Sequence, residues 1–245
     1  MKRLKKIYPV TVWHKSMNAA LLKVFMFTLR IWDLPTRLFH WALAACVVGL
    51  IVTGKWGGNA MVWHFRFGYG VLALLSFRLL WGFWGGFWSR WAQLPLSPLA
   101  VWRYLKGHTP EHAFPGHNPL GSWSILAMLL VLAFQVSTGL VSDDEIANAG
   151  PLTALVSGAW VSWATSWHKQ WGQWLVFFLV GLHVLALLWY RLRKRLSLVP
   201  AMVHGHKTLA KAAPESQDRA IHRGLALVLL GLASVAVWGL LSLSP

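Results

Sequence analysis

Five long apolar stretches limit what this chain can fold into more than any other feature. They lie near residues 38–54, 64–84, 120–141, 170–190 and 223–243. A helix that crosses a bilayer needs about 20 mostly apolar residues, and each stretch approaches or reaches that length. Because unpaired backbone groups are costly in lipid, such segments cross as helices. The sequence therefore predicts an all-α integral membrane helical bundle with five transmembrane helices.

Charge and cysteine content exclude several other classes of protein. Only 12% of the residues are charged, whereas about a quarter is usual in soluble domains. Cys46 is the single cysteine, so one chain can build neither a disulfide framework nor a thiolate metal site. The net charge of +16 comes from basic residues beside the apolar stretches, which is typical of membrane topology. We expect a lipid bilayer as partner and no nucleic acid.

The basic residues also predict an orientation, because they are retained preferentially on the cytoplasmic side of a membrane. They precede the first stretch and follow the second and fourth, whereas the connection between the third and fourth carries acidic residues 143–145. This alternation predicts a cytoplasmic N-terminus and, with five spans, a periplasmic C-terminus. The basic residues before and after these spans are Lys2, Arg3, Lys5, Lys6, Lys15, Lys23, Arg30, Arg37, Arg90, Arg103, Lys106, Arg191, Arg193, Lys194 and Arg195.

Four histidines lie within the predicted spans. His40 and His64 open the first and second spans, and the fourth span contains both His168 and His183. Ionisable side chains inside a bilayer are costly and commonly have a ligand, a proton path or a cofactor as partner. A single histidine at the end of a span is more often an interfacial residue bonded to water. Four that match in depth favour a shared cofactor.

The depths of these histidines follow from the topology. His183 follows His168 by 15 residues, which is roughly 22 Å along a helix and about 60° around it, so both lie on one face. Since neighbouring spans run in opposite directions, His64 lies near the outside with His168, and His40 lies near the cytoplasm with His183. Helical bundles hold haem between such facing imidazoles. The sequence predicts two haem b cofactors, an outer and an inner one.

Other residues near these positions are candidates for contacts with haem. Gly68 follows His64 by one turn, and a small residue lets a flat macrocycle approach a helix. Arg78 lies at the expected depth of the inner haem and could neutralise a propionate, as could Arg37 and Arg66 at the two ends. Helix packing for Gly68 and contact with lipid headgroups for the arginines are the alternatives. We expect the other histidines, among them His117, to be solvated.

Several motifs resemble the prokaryotic cytochrome b561 family, which includes the b-type membrane subunit of nickel-iron hydrogenases. The motifs are Ile31-Trp32-Asp33-Leu34-Pro35-Thr36-Arg37-Leu38-Phe39-His40-Trp41, Trp63-His64 with Gly68-Tyr69, Gly116-His117-Asn118-Pro119-Leu120-Gly121, and Asp143-Asp144 followed by Gly150-Pro151-Leu152. The resemblance covers about residues 30–204. It implies a four-helix core in which His40, His64, His168 and His183 ligate two b haems.

The resemblance also implies a function and a location. We expect a protein of the bacterial inner membrane that transfers electrons between a membrane quinone and a redox partner on the periplasmic side. That partner would be a c-type cytochrome or a dehydrogenase or hydrogenase subunit. The alternative from another class is a haem-free membrane transporter or assembly scaffold, whose histidines would relay protons or line a path.

Three segments make up the expected domain organisation. Residues 1–30 form a basic N-terminal arm, which is cytoplasmic, interfacial, or an extension upstream of the true start codon. Residues 31–204 form the four-helix di-haem domain. Residues 205–245 form a linker and a fifth transmembrane helix that the family pattern does not include.

Overall fold

The first helix begins where the sequence places a capping residue before a proline. In the computed structural model, which describes residues 26–110 and 113–243, α1 spans Leu34–Trp56. The backbone N–H of Thr36 donates to the Asp33 carboxylate at 2.8 Å, which satisfies one of the unpaired donors at a helix start. Gly57, with φ of 68°, ends the helix in a conformation that favours glycine. Most of the predicted basic arm, residues 1–25, lies outside the described residues.

The remaining elements follow in chain order. The helices are α2 Met61–Trp84, α3 Pro98–Leu105, α4 Pro119–Leu140, α5 Gly158–Ser166, α6 Gln173–Leu192, α7 Val199–His204 and α8 Ala220–Leu241. A π-helical segment, Trp167–Gly172, joins α5 to α6 without a break. The strands are β1 Phe27–Arg30 and β2 His206–Leu209.

Five helical segments are long and apolar enough to cross a membrane in the part of the chain that the structure describes. They are Leu34–Trp56, Gly58–Trp84, Pro119–Leu140, Gly158–Leu192 and Ala220–Leu241. The predicted all-α membrane bundle with five spans is thereby confirmed. The fourth span begins at Gly158, well before the predicted residue 170, because the apolar helix continues through the tryptophan-rich region 160–171.

The spans form two groups, α1 with α2 and α8, and α4 with α6. The groups meet where α2 packs against α4. Helix α2 packs against α1, α4 and α8, while α6 packs against α4. A buried cluster of Phe39, Phe77, Trp81, Ala226, Leu229 and Ala233 joins α1, α2 and α8. The backbones of α1 and α6 stay apart, although side chains such as Lys55 and Gln173 bridge them. We call the space between the two groups, on the side of α1 and α6, the gap.

The bundle has two ends, which we name the N-terminal end and the distal end. The N-terminal end contains the first turns of α1, α4 and α8 and the last turns of α2 and α6. It is tied together by hydrogen bonds such as the one between the hydroxyl groups of Thr36 and Ser89, at 2.7 Å, and the one between those of Tyr104 and Tyr190, at 2.6 Å. The opposite end is the distal end.

A small sheet closes the N-terminal end. Strands β1 and β2 pair antiparallel, with Phe27 opposite Leu209 and Arg30 opposite His206. The backbone N–H of Trp32 extends the pairing by donating to the carbonyl of Gly205 at 3.0 Å. We predicted no strand in either segment, because Phe27–Arg30 falls within the predicted N-terminal arm and His206–Leu209 within the predicted linker. Backbone hydrogen bonds between these two distant segments of the chain form the strands instead.

Candidate functional site

Two of the span histidines face each other at the distal end. The ring centroids of His64 and His168 lie 6.1 Å apart, and the ring planes are nearly perpendicular at 85°. Both rings line a cavity of about 460 Å³, together with Gly54, Gly68 and Gly139. This volume falls in the range of small-molecule and cofactor sites, about 300–1,000 Å³. The predicted glycine Gly68 is thus part of the cavity wall.

Hydrogen bonds orient both distal rings in the same way. His64 Nδ1 lies 3.0 Å from the carbonyl oxygen of Leu50, and His168 Nδ1 lies 2.9 Å from that of Gln135. A carbonyl oxygen only accepts hydrogen bonds, so each Nδ1 carries the proton and donates it. The Nε2 atom of each neutral ring keeps its lone pair. This is how proteins commonly prepare histidine for binding a metal.

A Thr-Gly pair on the neighbouring helix cradles each of these rings. Thr53-Gly54 on α1 follows the carbonyl that binds His64, and Thr138-Gly139 on α4 follows the carbonyl that binds His168, at the same spacing. A Cβ added at Gly54 would lie 3.0 Å from His64 Cε1, and one added at Gly139 would lie 2.8 Å from His168 Cε1. A Cβ at Gly139 would therefore displace the ring of His168, and one at Gly54 would make an unusually tight contact with the ring of His64. This local repeat was not among the predictions from sequence.

The π-helical segment changes the geometry that we expected for the fourth span. His168 lies within Trp167–Gly172, where hydrogen bonds reach five residues back and the turn is wider than in an α-helix. The prediction of about 60° between His168 and His183 assumed a regular α-helix throughout and does not apply. Both rings nevertheless face histidines of the other helix group.

The second pair of span histidines lies towards the N-terminal end. The ring centroids of His40 and His183 are 6.4 Å apart, with an angle of 51° between the planes. A metal bound to two imidazole nitrogens at about 2 Å each holds the centroids roughly 6 Å apart, since each centroid lies about 1 Å behind its nitrogen. Both pairs therefore have the spacing of two axial ligands. His40 Nδ1 is buried without a hydrogen-bond partner among the described residues.

The paired arrangement fits haem better than a bare metal ion. Among the described residues, no group of three or more His, Cys, Asp or Glu side chains could hold a metal ion. A structural zinc site needs four protein ligands and a catalytic one needs three. Haem brings its own equatorial nitrogens and takes only axial ligands from the protein. Two facing imidazoles and a cavity bordered by glycines match that requirement.

The three predicted arginines lie in different environments. Arg78 is 5% exposed, its Cζ lies 4.2 Å from the ring centroid of Trp91, and its Nη1 has no hydrogen-bond partner among the described residues. Arg37 Nη1 donates to the carbonyl of Val203 at 2.5 Å, while its Nε is buried and unpartnered. Arg66 lies apart from the cavity lining.

Arg66 stacks its guanidinium on an aromatic ring instead. Its Cζ lies 4.8 Å from the ring centroid of Trp63, which is a cation–π arrangement. The cations that do line the distal cavity are Lys55 and Lys169. Lys55 Nζ donates to the side-chain oxygen of Gln173 at 2.8 Å. The sequence offered no signal for these lysines: Lys55 lies in the last turn of α1 and Lys169 in the π-helical segment.

The expectation that His117 is solvated is wrong. Its ring packs on Trp32 with the centroids 4.5 Å apart, and its Nδ1 is buried without a partner among the described residues. Burial, and then the positive charges of Lys207 and Arg78, lower the pKa of His117 to about 3. A neutral imidazole results. The packing of the turn before α4 onto Trp32 explains the burial and could not be inferred from local sequence.

The acidic loop beside the distal cavity is organised by its own carboxylate. Asp144 accepts hydrogen bonds from the side chain of Asn148 and from the backbone of Asn148, Ala147 and Ile146. The side-chain bond from Asn148 contributes most, and together these bonds hold the pKa of Asp144 well below its ordinary value. Asp143, Asp144 and Asn148 also line the cavity. The loop therefore forms an ordered polar border to the site.

Comparisons with known proteins identify one family. The family model described as prokaryotic cytochrome b561 matches residues 31–205. A "Probable Ni/Fe-hydrogenase B-type cytochrome subunit" of Cupriavidus necator is 26% identical over 73% of this chain and 86% of its own length. The protein of the same name in Bradyrhizobium diazoefficiens is 26% identical, over 74% and 86%.

A relative from Escherichia coli K12, "Probable Ni/Fe-hydrogenase 1 B-type cytochrome subunit", is 24% identical over 73% of this chain and 90% of its own length. No solved structure matches the chain.

Proposed function

Because this chain belongs to the prokaryotic cytochrome b561 family, we propose that it is a di-haem electron carrier linking a membrane quinone to a redox partner protein. Membership of the family and five spans already make it a multi-span membrane b-type cytochrome. The observation that carries the di-haem proposal is the pair of facing imidazoles at each end of the gap between the helix groups.

At the distal end, His64 and His168 would hold one haem through their Nε2 atoms. The carbonyls of Leu50 and Gln135 fix the tautomer and the direction of each ring. Hydrogen-bond partners of this kind also make the imidazole a stronger ligand. Gly68 would border the macrocycle as part of the cavity wall.

At the N-terminal end, His40 and His183 would hold the second haem. Arg78 and Arg37 each keep an unpartnered buried nitrogen there, which suits them to the neutralisation of a propionate. For the distal haem, Lys55 and Lys169 lie in the cavity wall and are better placed for this task than Arg66. The bound haems would supply the one-electron chemistry.

The rest of the chain insulates and separates these two sites. Apolar side chains of the five spans exclude water and give the gap a low dielectric constant, which is one of the means by which a protein tunes a redox centre. We place the N-terminal end at the cytoplasm and the distal end at the periplasm of the bacterial inner membrane, from the basic residues that flank the spans.

For the redox partner, we propose the electron-transferring subunit of a hydrogenase or dehydrogenase at the periplasmic surface. The similarity to proteins named as B-type cytochrome subunits of Ni/Fe-hydrogenases supports this choice. Purification of the tagged chain from its native membrane tests it. Recovery of a hydrogenase or dehydrogenase subunit is expected, whereas recovery of a c-type cytochrome alone would favour a different partner.

Quantitative spectroscopy of the purified chain tests the haem proposal itself. Reduced-minus-oxidised spectra should show b-type haem, and the pyridine haemochrome assay should give two haems per chain. A colourless chain, expressed with adequate haem supply, would contradict the proposal and favour the haem-free transporter. One haem per chain would contradict the di-haem form.

A further inference from the structure

The N-terminal end holds buried side-chain nitrogens that have no hydrogen-bond partner in the described chain. Besides His40 Nδ1 on the proposed ligand and His222 Nδ1 in the first turn of α8, they are Arg37 Nε, Arg78 Nη1 and His117 Nδ1. A buried donor without a partner costs free energy, more so when it is charged, so such a cluster indicates a missing acceptor.

Part of the cluster lies near the His40 and His183 pair. His117 is within electrostatic range of Lys207, Arg78 and both these histidines. Lys207 also holds the turn that carries His117, because its Nζ donates to the carbonyls of Pro115 at 2.9 Å and Gly116 at 3.2 Å. The loop before α4, strand β2 and helix α2 thus meet at this site.

One acid within electrostatic range of Arg78 is already engaged elsewhere. Asp33, the acid whose charge acts on Arg78, is fully buried. It accepts hydrogen bonds from the Thr36 backbone at 2.8 Å, from Trp81 Nε1 at 3.1 Å and from Ser89 Oγ at 2.5 Å. Its oxygens therefore serve the helix cap and the Trp81 contact. The described residues supply no acceptor for these nitrogens, and the surplus of positive charge favours an anionic ligand.

We infer that His117 and Arg78 together hold a carboxylate of the haem that His40 and His183 would ligate. This inference rests on the proposed function and adds His117 and Lys207 to it. Arg78 supplies the charge, since guanidinium remains protonated when buried, and neutral His117, with its proton on Nδ1, supplies one further N–H. Lys207 is a positioning residue that fixes the turn of His117. A neutral quinone would need donors but not the accumulated charge, so the haem carboxylate is the better match.

The test uses the full-length chain purified with its haem. His117→Phe keeps the packing against Trp32 and removes the donor, and Arg78→Gln removes the charge. Both should lower the midpoint potential of one of the two haems, because a positive charge or a donor near a propionate favours the reduced form. Each should also speed the loss of that haem to excess apomyoglobin by about tenfold, the equivalent of one charge-assisted hydrogen bond.

Three comparisons make the result specific. Arg78→Lys retains the charge and should restore most of the potential. His108→Phe is the matched control, because His108 also contacts a tryptophan ring, Trp102 at 5.6 Å, but is exposed. It should leave both haems unchanged. In a His183→Ala background, which lacks the affected haem, His117→Phe should not alter the potential of the haem that remains.

The outcomes separate this inference from the function on which it rests. If the purified wild-type chain contains no haem, both the proposed function and this inference are wrong. A wild type with two haems whose potentials and loss rates are unchanged in His117→Phe and Arg78→Gln overturns the inference alone. The inference alone is also overturned if these two variants keep their haem potentials but no longer oxidise a soluble quinol, because the donors would then serve a quinone.

Discussion

Gly139 lies so close to the ring of His168 that a Cβ at Gly139 would stand 2.8 Å from Cε1 of the histidine. Real Cβ atoms do not tolerate such a contact, and the ring is also held by its hydrogen bond to the carbonyl of Gln135. Gly139→Ala should therefore displace the ring and reduce the distal haem content, leaving close to one haem per chain. The pyridine haemochrome assay measures this.

Gly231→Ala is the matched control for that substitution, since nothing lies within 4 Å of a Cβ added at Gly231. It should retain both haems. Full haem content in Gly139→Ala would show that the glycine is not required to seat His168. Gly54→Ala, where the corresponding contact is 3.0 Å, should give a smaller loss of the same haem.

Removal of one histidine should empty one site and spare the other. The two pairs lie at opposite ends of the gap and share no ligand, so their losses should be independent. His183→Ala should lose the haem of the N-terminal end, and His64→Ala the distal one, each leaving one haem per chain with its own midpoint potential. Redox titration of the reduced haem band measures the potentials. Loss of both haems in a chain that still folds would contradict two separate sites.

Asp33 should contribute strongly to stability. It is fully buried and accepts bonds from α1, from Trp81 and from Ser89. Asp33→Ala leaves these donors without their acceptor, and one hydrogen bond to a charged group is worth about 1.5–3 kcal/mol. We expect a loss of about 3 kcal/mol or more, visible as a lower thermal midpoint in detergent. Asp143→Ala, in a surface loop, should shift the midpoint far less; equal shifts would contradict a special role for Asp33.

The ion-pair network of Asp218 should make the N-terminal end sensitive to acid. Burial alone would raise the pKa of Asp218, but hydrogen bonds from Arg223 and from the backbone of Leu34, and the charges of Arg223 and Arg30, lower it overall. Because the pKa in the folded state lies below the unfolded value of about 3.9, the stabilisation is complete above that value. It is lost as the pH falls through the lowered pKa.

Asp218→Asn should therefore reduce the thermal midpoint at neutral pH and flatten its decline under acid conditions. Thermal unfolding between neutral pH and about pH 3 measures both effects. Glu145→Gln, an exposed loop substitution, is the control. It should leave the decline of the thermal midpoint at acid pH as steep as in the wild type. If this decline is unchanged in Asp218→Asn, other carboxylates cause the loss of stability at acid pH.

Sequence alone predicted the membrane bundle because the physical signal is large and local. About 20 consecutive apolar residues predict a span in any context, and all five expected spans are present. The depth of a residue in a span follows from topology, so the sequence could match His64 with His168 and His40 with His183. The structure brings these rings within 6.4 Å of each other. Ligation of haem by them stays a prediction.

Features that depend on packing between distant segments could not be inferred in this way. The burial of His117 needs Trp32 beside it, and the cradle of each distal ring needs Gly54 or Gly139 on another helix. The π turn at His168 has no known composition signal that distinguishes it from α-helix. Each of these is set by contacts across the bundle, which periodicity within one segment does not encode.

The pairing of β1 with β2 has a consequence for the order of assembly. The paired residues, such as Phe27 and Leu209, leave the ribosome about 180 residues apart, which is roughly 10–40 seconds of synthesis. His64 and His168 belong to spans that are complete before β2 exists. The distal pair can therefore meet while translation continues, whereas the sheet can close over the His40 end only once nearly the whole chain has been made.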